Sequence, residues 1–189
     1  MRHTARATTL IAVCCLGLTA CTASDDRSTP EPSQRAQLRL RQSAGTAGAG
    51  GKGTMRITPD TVVYVRRAGN GTPEHDLYAV VAFTSENRSE FPVTATTRKG
   101  GFRWKASNGH TVGAGNSISA ARIAPTGFSD GGPTVSAGTF RRNTVAFDIT
   151  TAEKGGTLIY LDGNGDSCRW TIPPTNSGST VSALRIALT

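Results

Sequence analysis

Leu77-Tyr78-Ala79-Val80-Val81-Ala82-Phe83 is seven apolar residues rich in β-branched and aromatic side chains. The run is too short for a helix that carries a core, and turn clusters bound it on both sides. Ala68-Gly69-Asn70-Gly71-Thr72-Pro73 precedes it and Glu86-Asn87-Arg88-Ser89 follows it. A strand with no polar face is one buried on both sides, as at the centre of a sandwich.

Working outward, similar short runs recur at strand spacing. Thr61 to Arg66 precedes the central run. Phe91 to Thr97 follows, with Pro92 suited to a strand start or an edge. Phe102 to Ala106 comes next, and Asn108-Gly109 supplies a hairpin turn into His110-Thr111-Val112, because both turn residues tolerate positive φ. Residues 113–134 are Gly-, Ala- and Ser-rich, an irregular connection with one strand expected at Ile118 to Ile123. Thr139 to Ile149 places Val145, Phe147 and Ile149 on one face and Asp148 on the other. Thr157 to Leu161 and Ser167 to Ile172 form a hairpin across Asp162-Gly163-Asn164-Gly165-Asp166, closed by Pro173-Pro174. No stretch carries a helical period of useful length. The expected fold is all-β, an immunoglobulin-like antiparallel β-sandwich over residues 54–174. Residues 175–189 are expected to be a frayed tail or an added edge strand, from the alternation of Leu184, Ile186 and Leu188.

Upstream, Arg2 and Arg6 precede the apolar run Leu10 to Leu18, the order of a secretory signal too short to stay as a spanning helix. Leu18-Thr19-Ala20-Cys21 resembles the bacterial lipobox. That resemblance implies removal of residues 1–20 and a diacylglyceryl, palmitate-type anchor on Cys21. Two acyl chains hold a protein on a membrane where one holds it marginally. The resulting expectation is a protein on the extracytoplasmic face of the cell membrane. Residues 21–53 are rich in Ser, Thr, Pro, Ala and Gly, including Gly45-Thr46-Ala47-Gly48-Ala49-Gly50-Gly51. They read as a disordered, flexible tether, with a brief helix at Arg35 to Gln42. Gly51-Lys52-Gly53 is no phosphate loop, since Thr46 stands where its first glycine belongs and Gly53 where its Ser or Thr belongs.

The chain has 21 basic and 13 acidic residues, a net +8 that falls to about +6 without Arg2 and Arg6. Outside a membrane, the counterions of such a surface are lipid headgroups and anionic wall polymers rather than nucleic acid. A wall polymer or a surface protein is therefore the expected partner, beside the membrane reached through the lipid. The cations are scattered singly and in pairs, which reads as a solvated surface. Of the four cysteines, only Cys168 belongs to the folded domain, read as a small buried hydrophobe rather than a reactive thiol.

Two groups of residues resemble a known family. One is Val80 to Asn87 with its return strand from Phe91. The other is Ala137-Gly138-Thr139 leading to Val145-Ala146-Phe147-Asp148-Ile149. Together they resemble the immunoglobulin-like immunoprotective extracellular domains of bacterial lipoproteins, although Ala137 stands where the family usually has proline. Leu158-Ile159-Tyr160 and Trp170-Thr171-Ile172-Pro173 are similar to the secreted immunogenic β-sandwich antigens of mycobacteria. The resemblance covers roughly residues 55–174 and implies a fold and a surface location, with no catalytic residues to carry over.

The residues offer little chemistry of their own. His75 and His110 stand in separate turns, and no Gly-x-Ser-x-Gly accompanies them. There is no clustered His/Cys set for zinc, so no metal or cofactor is expected. Glu74 and Asp76 are paired carboxylates in a turn. Asp162, Asn164 and Asp166 match the start of a calcium loop, but Ser167 and Pro173 stand where its glycine and bidentate glutamate belong. Trp104 and Tyr160 are either an exposed carbohydrate or peptide platform or aromatics of the core. The expectation is a non-enzymatic, lipid-anchored binding or interaction module. The alternatives are a wall-directed hydrolase and an antigenic or structural surface protein with no specific ligand.

Overall fold

The structure, a computed structural model, describes residues 37–96 and 101–189. Cys21 and the signal-like segment before it lie outside the described residues. Among the described residues, eleven strands and one short α-helix are arranged as two main sheets with a small ribbon. The four-stranded sheet runs β2 (Ala44–Ala47), β3 (Thr54–Val65), β4 (Leu77–Asn87), β9 (Phe140–Ile149). The five-stranded sheet runs β1 (Leu38–Arg39), β11 (Ser167–Ile172), β10 (Gly156–Leu161), β6 (Phe102–Lys105), β7 (Thr111–Gly113). β5 (Val93–Thr94) and β8 (Thr134–Val135) pair as the ribbon. β3-β4-β9 against β11-β10-β6-β7 is the order of an immunoglobulin-like sandwich.

β4 shows why the apolar run decides the fold. Its odd residues Leu77, Ala79 and Val81 enter the core between the sheets, with Phe147, Trp104, Leu158 and Trp170. Its even residues Tyr78, Val80 and Ala82 enter a second cluster on the outer face, with Val63, Leu184 and Leu188. β3 serves both cores through a bulge between Pro59 and Thr61. Ile57 faces inward before it and Val62 after it, so one extra residue moves the inward set from odd to even numbers.

The tether reading ends earlier than residue 53. Ala44–Ala47 pair antiparallel with Thr54–Ile57, and Leu38–Arg39 run parallel to Trp170–Thr171. Ala44 is buried in the core, and the Trp170 indole donates to the Gln42 carbonyl at 2.7 Å. The small residues that read as linker are an edge strand that packs closely because its side chains are small. The helix expected at Arg35 to Gln42 is replaced, where described, by β1. Ile118 to Ile123 is not a strand either; Ala120–Arg122 form a single 3-10 turn whose Ala120 packs on the outer face of β4. The strand from Phe91 shortens to Val93–Thr94 among the described residues.

The C-terminal tail is helical: α1 spans Val181–Ala187. Leu184 and Leu188 are four apart and buried against the sheet, whereas Ile186 is 74% exposed. The period is that of a helix, and the alternation misled because it sampled only three residues. The Ser177–Val62 bridge and the bond from Thr180 N–H to the Thr61 hydroxyl fix its start to β3.

Candidate functional site: a cleft at the end of the sandwich

A cleft of about 630 Å³ lies between residues 68–74, residues 118–125 and the end of α1. That volume falls within the range of small-molecule sites. Ile118, Ile123, Pro125 and Leu188 give it apolar walls, and Arg122 and Glu74 stand among them. Ile118 is 70% exposed, an apolar side chain held in the open on this wall.

One carboxylate builds the two loops. Asp148 of β9 points to the outer face and is buried. Its Oδ2 accepts the Glu74 N–H at 2.7 Å, and its Oδ1 accepts the His75 N–H at 2.9 Å with the His75 Nδ1 at 3.3 Å. Asn116 brackets the Asp148 backbone, accepting its N–H and donating to its carbonyl, both at 2.8 Å. Burial pushes the Asp148 carboxyl up. The Glu74 and His75 amides, the Ser117 hydroxyl and the His75 ring outweigh that and hold it below the usual carboxylate range. Asp148 is thereby kept charged and fastens both walls to β9.

The third wall is tied in through the backbone. Gly69 N–H donates to the Leu188 carbonyl at 2.8 Å, and Ala68 and Gly71 exchange bonds across a tight turn. Gly69 holds φ of +53°, a conformation that glycine adopts without steric cost. A side chain at Gly71 would meet the Ala68 carbonyl at 3.2 Å and the Tyr78 hydroxyl at 3.6 Å. That hydroxyl lies behind the wall, fully buried, with the Ser119 hydroxyl beside it.

The residues singled out by sequence are dispersed. Glu74 and Asp76 do not act as a pair: Glu74 gives its amide to Asp148, and the Asp76 carboxylate accepts the Thr151 N–H at 2.7 Å. His110 meets Glu153 at 2.5 Å, while Glu153 also accepts the Thr150 N–H. Both histidine rings are thus bonded to carboxylates, and the Ser117 hydroxyl near the first pair accepts the Ala120 N–H. Trp104 and Tyr160 are no surface platform. Both are buried, with the Trp104 indole donating to the Glu153 carbonyl and the Tyr160 hydroxyl accepting the Thr96 N–H. Asp162 is the hinge of its hairpin: Oδ1 accepts the Asn164 and Asp166 amides, and Oδ2 accepts the Ala47 amide of the edge strand. Its oxygens converge on backbone N–H groups. Cys168 is buried, with Sγ 3.9 Å from the Gly45 carbonyl. The sequence signal for the cleft was Asp148 itself, a carboxylate between Phe147 and Ile149 that needs donors if buried.

No protein-family model matches the chain, and no curated protein matches it. Solved structures do share its fold. A secreted protein of Mycobacterium tuberculosis, MPT63, superposes with a TM-score of 0.53 at 11% identity, covering 74% of this chain and 98% of that one. The yjhA protein of Bacillus subtilis gives 0.50 at 16% identity, covering 72% and 99%. At such identities the likeness is one of fold, and it agrees with the sandwich described above.

Proposed function

We propose that this protein is a lipid-anchored extracytoplasmic binding module, held to the membrane through Cys21, whose ligand site is the cleft at the end of the sandwich. The observation that carries the site is a cleft of about 630 Å³ with apolar walls, among which Arg122 and Glu74 stand as the charged groups. Apolar walls with a few placed polar groups are the usual make-up of a small-molecule site. The lipobox-like Leu18-Thr19-Ala20-Cys21 supports the anchor, and the likeness to MPT63, a secreted protein, agrees with an outside location. The module works by binding rather than by catalysis.

Two experiments test the parts separately. Cys21→Ala should abolish incorporation of labelled palmitate; label that survives the substitution removes the anchor. For the cleft, a photoreactive residue placed at Ala124 or at Ile118 on intact cells should yield adducts of one common added mass. The same residue at exposed Ser136, outside the cleft, should not. Absence of a shared adduct at the two cleft positions removes the site.

A further inference from the structure

The cations that look scattered in sequence are gathered by strand register. Leu38, Trp170, Leu158, Trp104 and Val112 align across the five-stranded sheet, and all pack in the core. The neighbouring rows must therefore point outward, because side chains alternate across a sheet. One row reads Arg39, Thr171, Thr157, Lys105, Thr111. The other contains Arg169, Ile159, Arg103 and Gly113. Ser167 and Leu161 complete the paired positions on this face, which thus carries four cations and no acid. Arg56 and Arg88 pair with Glu86 and Arg142 with Asp130, whereas Arg39, Arg103, Lys105 and Arg169 have no carboxylate within ion-pair distance among the described residues.

At about 4.8 Å between strands, Arg103 and Arg169 stand roughly 10 Å apart, and Lys105 and Arg39 roughly 14 Å. A shallow groove of about 290 Å³, lined among others by Lys105, Thr157, Ile159 and Arg169, crosses the same surface. Threonine hydroxyls stand between the cations as further donors. Unpaired, mostly arginine charge on a flat face suits oxyanions presented in a row, which guanidinium groups bind in a two-pronged fashion.

We infer that the outer face of the five-stranded sheet docks a linear polyanion bearing phosphate groups, whose several oxygens suit both the guanidinium forks and the threonine hydroxyls between them. The face is separate from the end cleft, and the inference stands without that site. The test uses the full chain in non-ionic detergent, with inorganic polyphosphate and polyglutamate as probes at increasing salt. Polyphosphate is expected to bind tighter than polyglutamate of matched charge, and tighter binding of polyglutamate overturns the assignment to phosphate. With three to four contacts, log K should fall against log salt with a slope of about −2 to −3. The double variant Arg103→Gln/Arg169→Gln should weaken binding at least tenfold and reduce that slope by about 1.4. Arg67→Gln/Arg185→Gln removes the same charge elsewhere on the surface and should leave binding within twofold of the parent. All positions changed are on the surface, and unchanged thermal unfolding verifies that the variants are folded. Binding of neither polymer at low salt overturns the inference. So does equal weakening in both double variants, which assigns the effect to net charge alone.

Discussion

Asp148→Asn probes the buried carboxylate that holds the cleft together, and its cost follows from the geometry. Oδ2 serves the Glu74 amide and Oδ1 serves the His75 amide and ring. An asparagine keeps one acceptor oxygen and turns an NH2 group toward the other donor. One charge-assisted bond worth about 1.5–3 kcal/mol is lost, and the opposed N–H groups add to it. A total of about 2–4 kcal/mol is expected at pH 7, because residues 74–76 are exposed and their amides regain some hydration. The pH dependence carries a second signature. The folded carboxyl lies below its unfolded value, so its stabilisation is fully present above the unfolded pKa, about 3.9. It is lost as pH falls through the folded value. The gap between parent and variant should therefore be widest at neutral pH and close in acid. Denaturant titrations of both proteins at pH 7, 5 and 3 measure it. A variant within 0.5 kcal/mol of the parent at pH 7, or a gap that does not narrow at pH 3, would refute the role given to Asp148.

Three further predictions rest on the core and its edges. Phe147→Ala should cost about 3–5 kcal/mol by denaturant titration, whereas half-buried Phe83 packs at the margin of the same cluster and should cost about 1–3. Equal losses would mean that the two positions are equally enclosed. A chain beginning at residue 54 should be less stable than one beginning at residue 37 by about 2–4 kcal/mol, from Leu38 and Ala44 burial and the lost edge strand; equal midpoints would return residues 37–53 to the role of linker. Burial pushes Tyr64 and Tyr160 to about 12 and also raises Tyr78, so spectrophotometric titration should show none of the three tyrosines ionising with a midpoint near 10. Because the unfolded chain loses those protons first, stability should fall as pH rises from 10 toward 12. A midpoint at 10 for one third of the signal would contradict this.

Much of the sandwich is written in local pattern. β4, β9 and the β10–β11 hairpin announce themselves through β-branched and aromatic residues between turn clusters, and their burial follows the alternation. Ala44-Gly45-Thr46-Ala47 carries no such signal, because its strand conformation comes from pairing with β3 and from closeness to the core. The same limit hid α1: three alternating apolar residues fit a strand, and only contact with Tyr78 and Val80 distinguishes Leu184 and Leu188 from exposed Ile186. Asp148 was visible as a polar residue on the far face of its strand. Its partners at 74, 75 and 116 are too distant in sequence for spacing to reveal them. The basic face is the clearest case of this kind. Arg39, Arg103, Lys105 and Arg169 form no run, and they become neighbours only once register is known.

The pairing of β1 with β11 bears on the order in which the protein is completed. Gln37 bonds to Thr171, a partner 134 positions away, and Leu38 lies beside Trp170. A chain that emerges amino end first, from a ribosome or through a membrane channel, brings out β1 long before its partner exists. Closing so long a loop costs entropy that no local contact offsets, so this step comes late. Until the final hairpin has emerged, the first strand stays unpaired and Trp170 lacks its cover. The sandwich therefore cannot close before β11 has been delivered, and the same contact that seals the core acts as a check that the chain has arrived through its last strand.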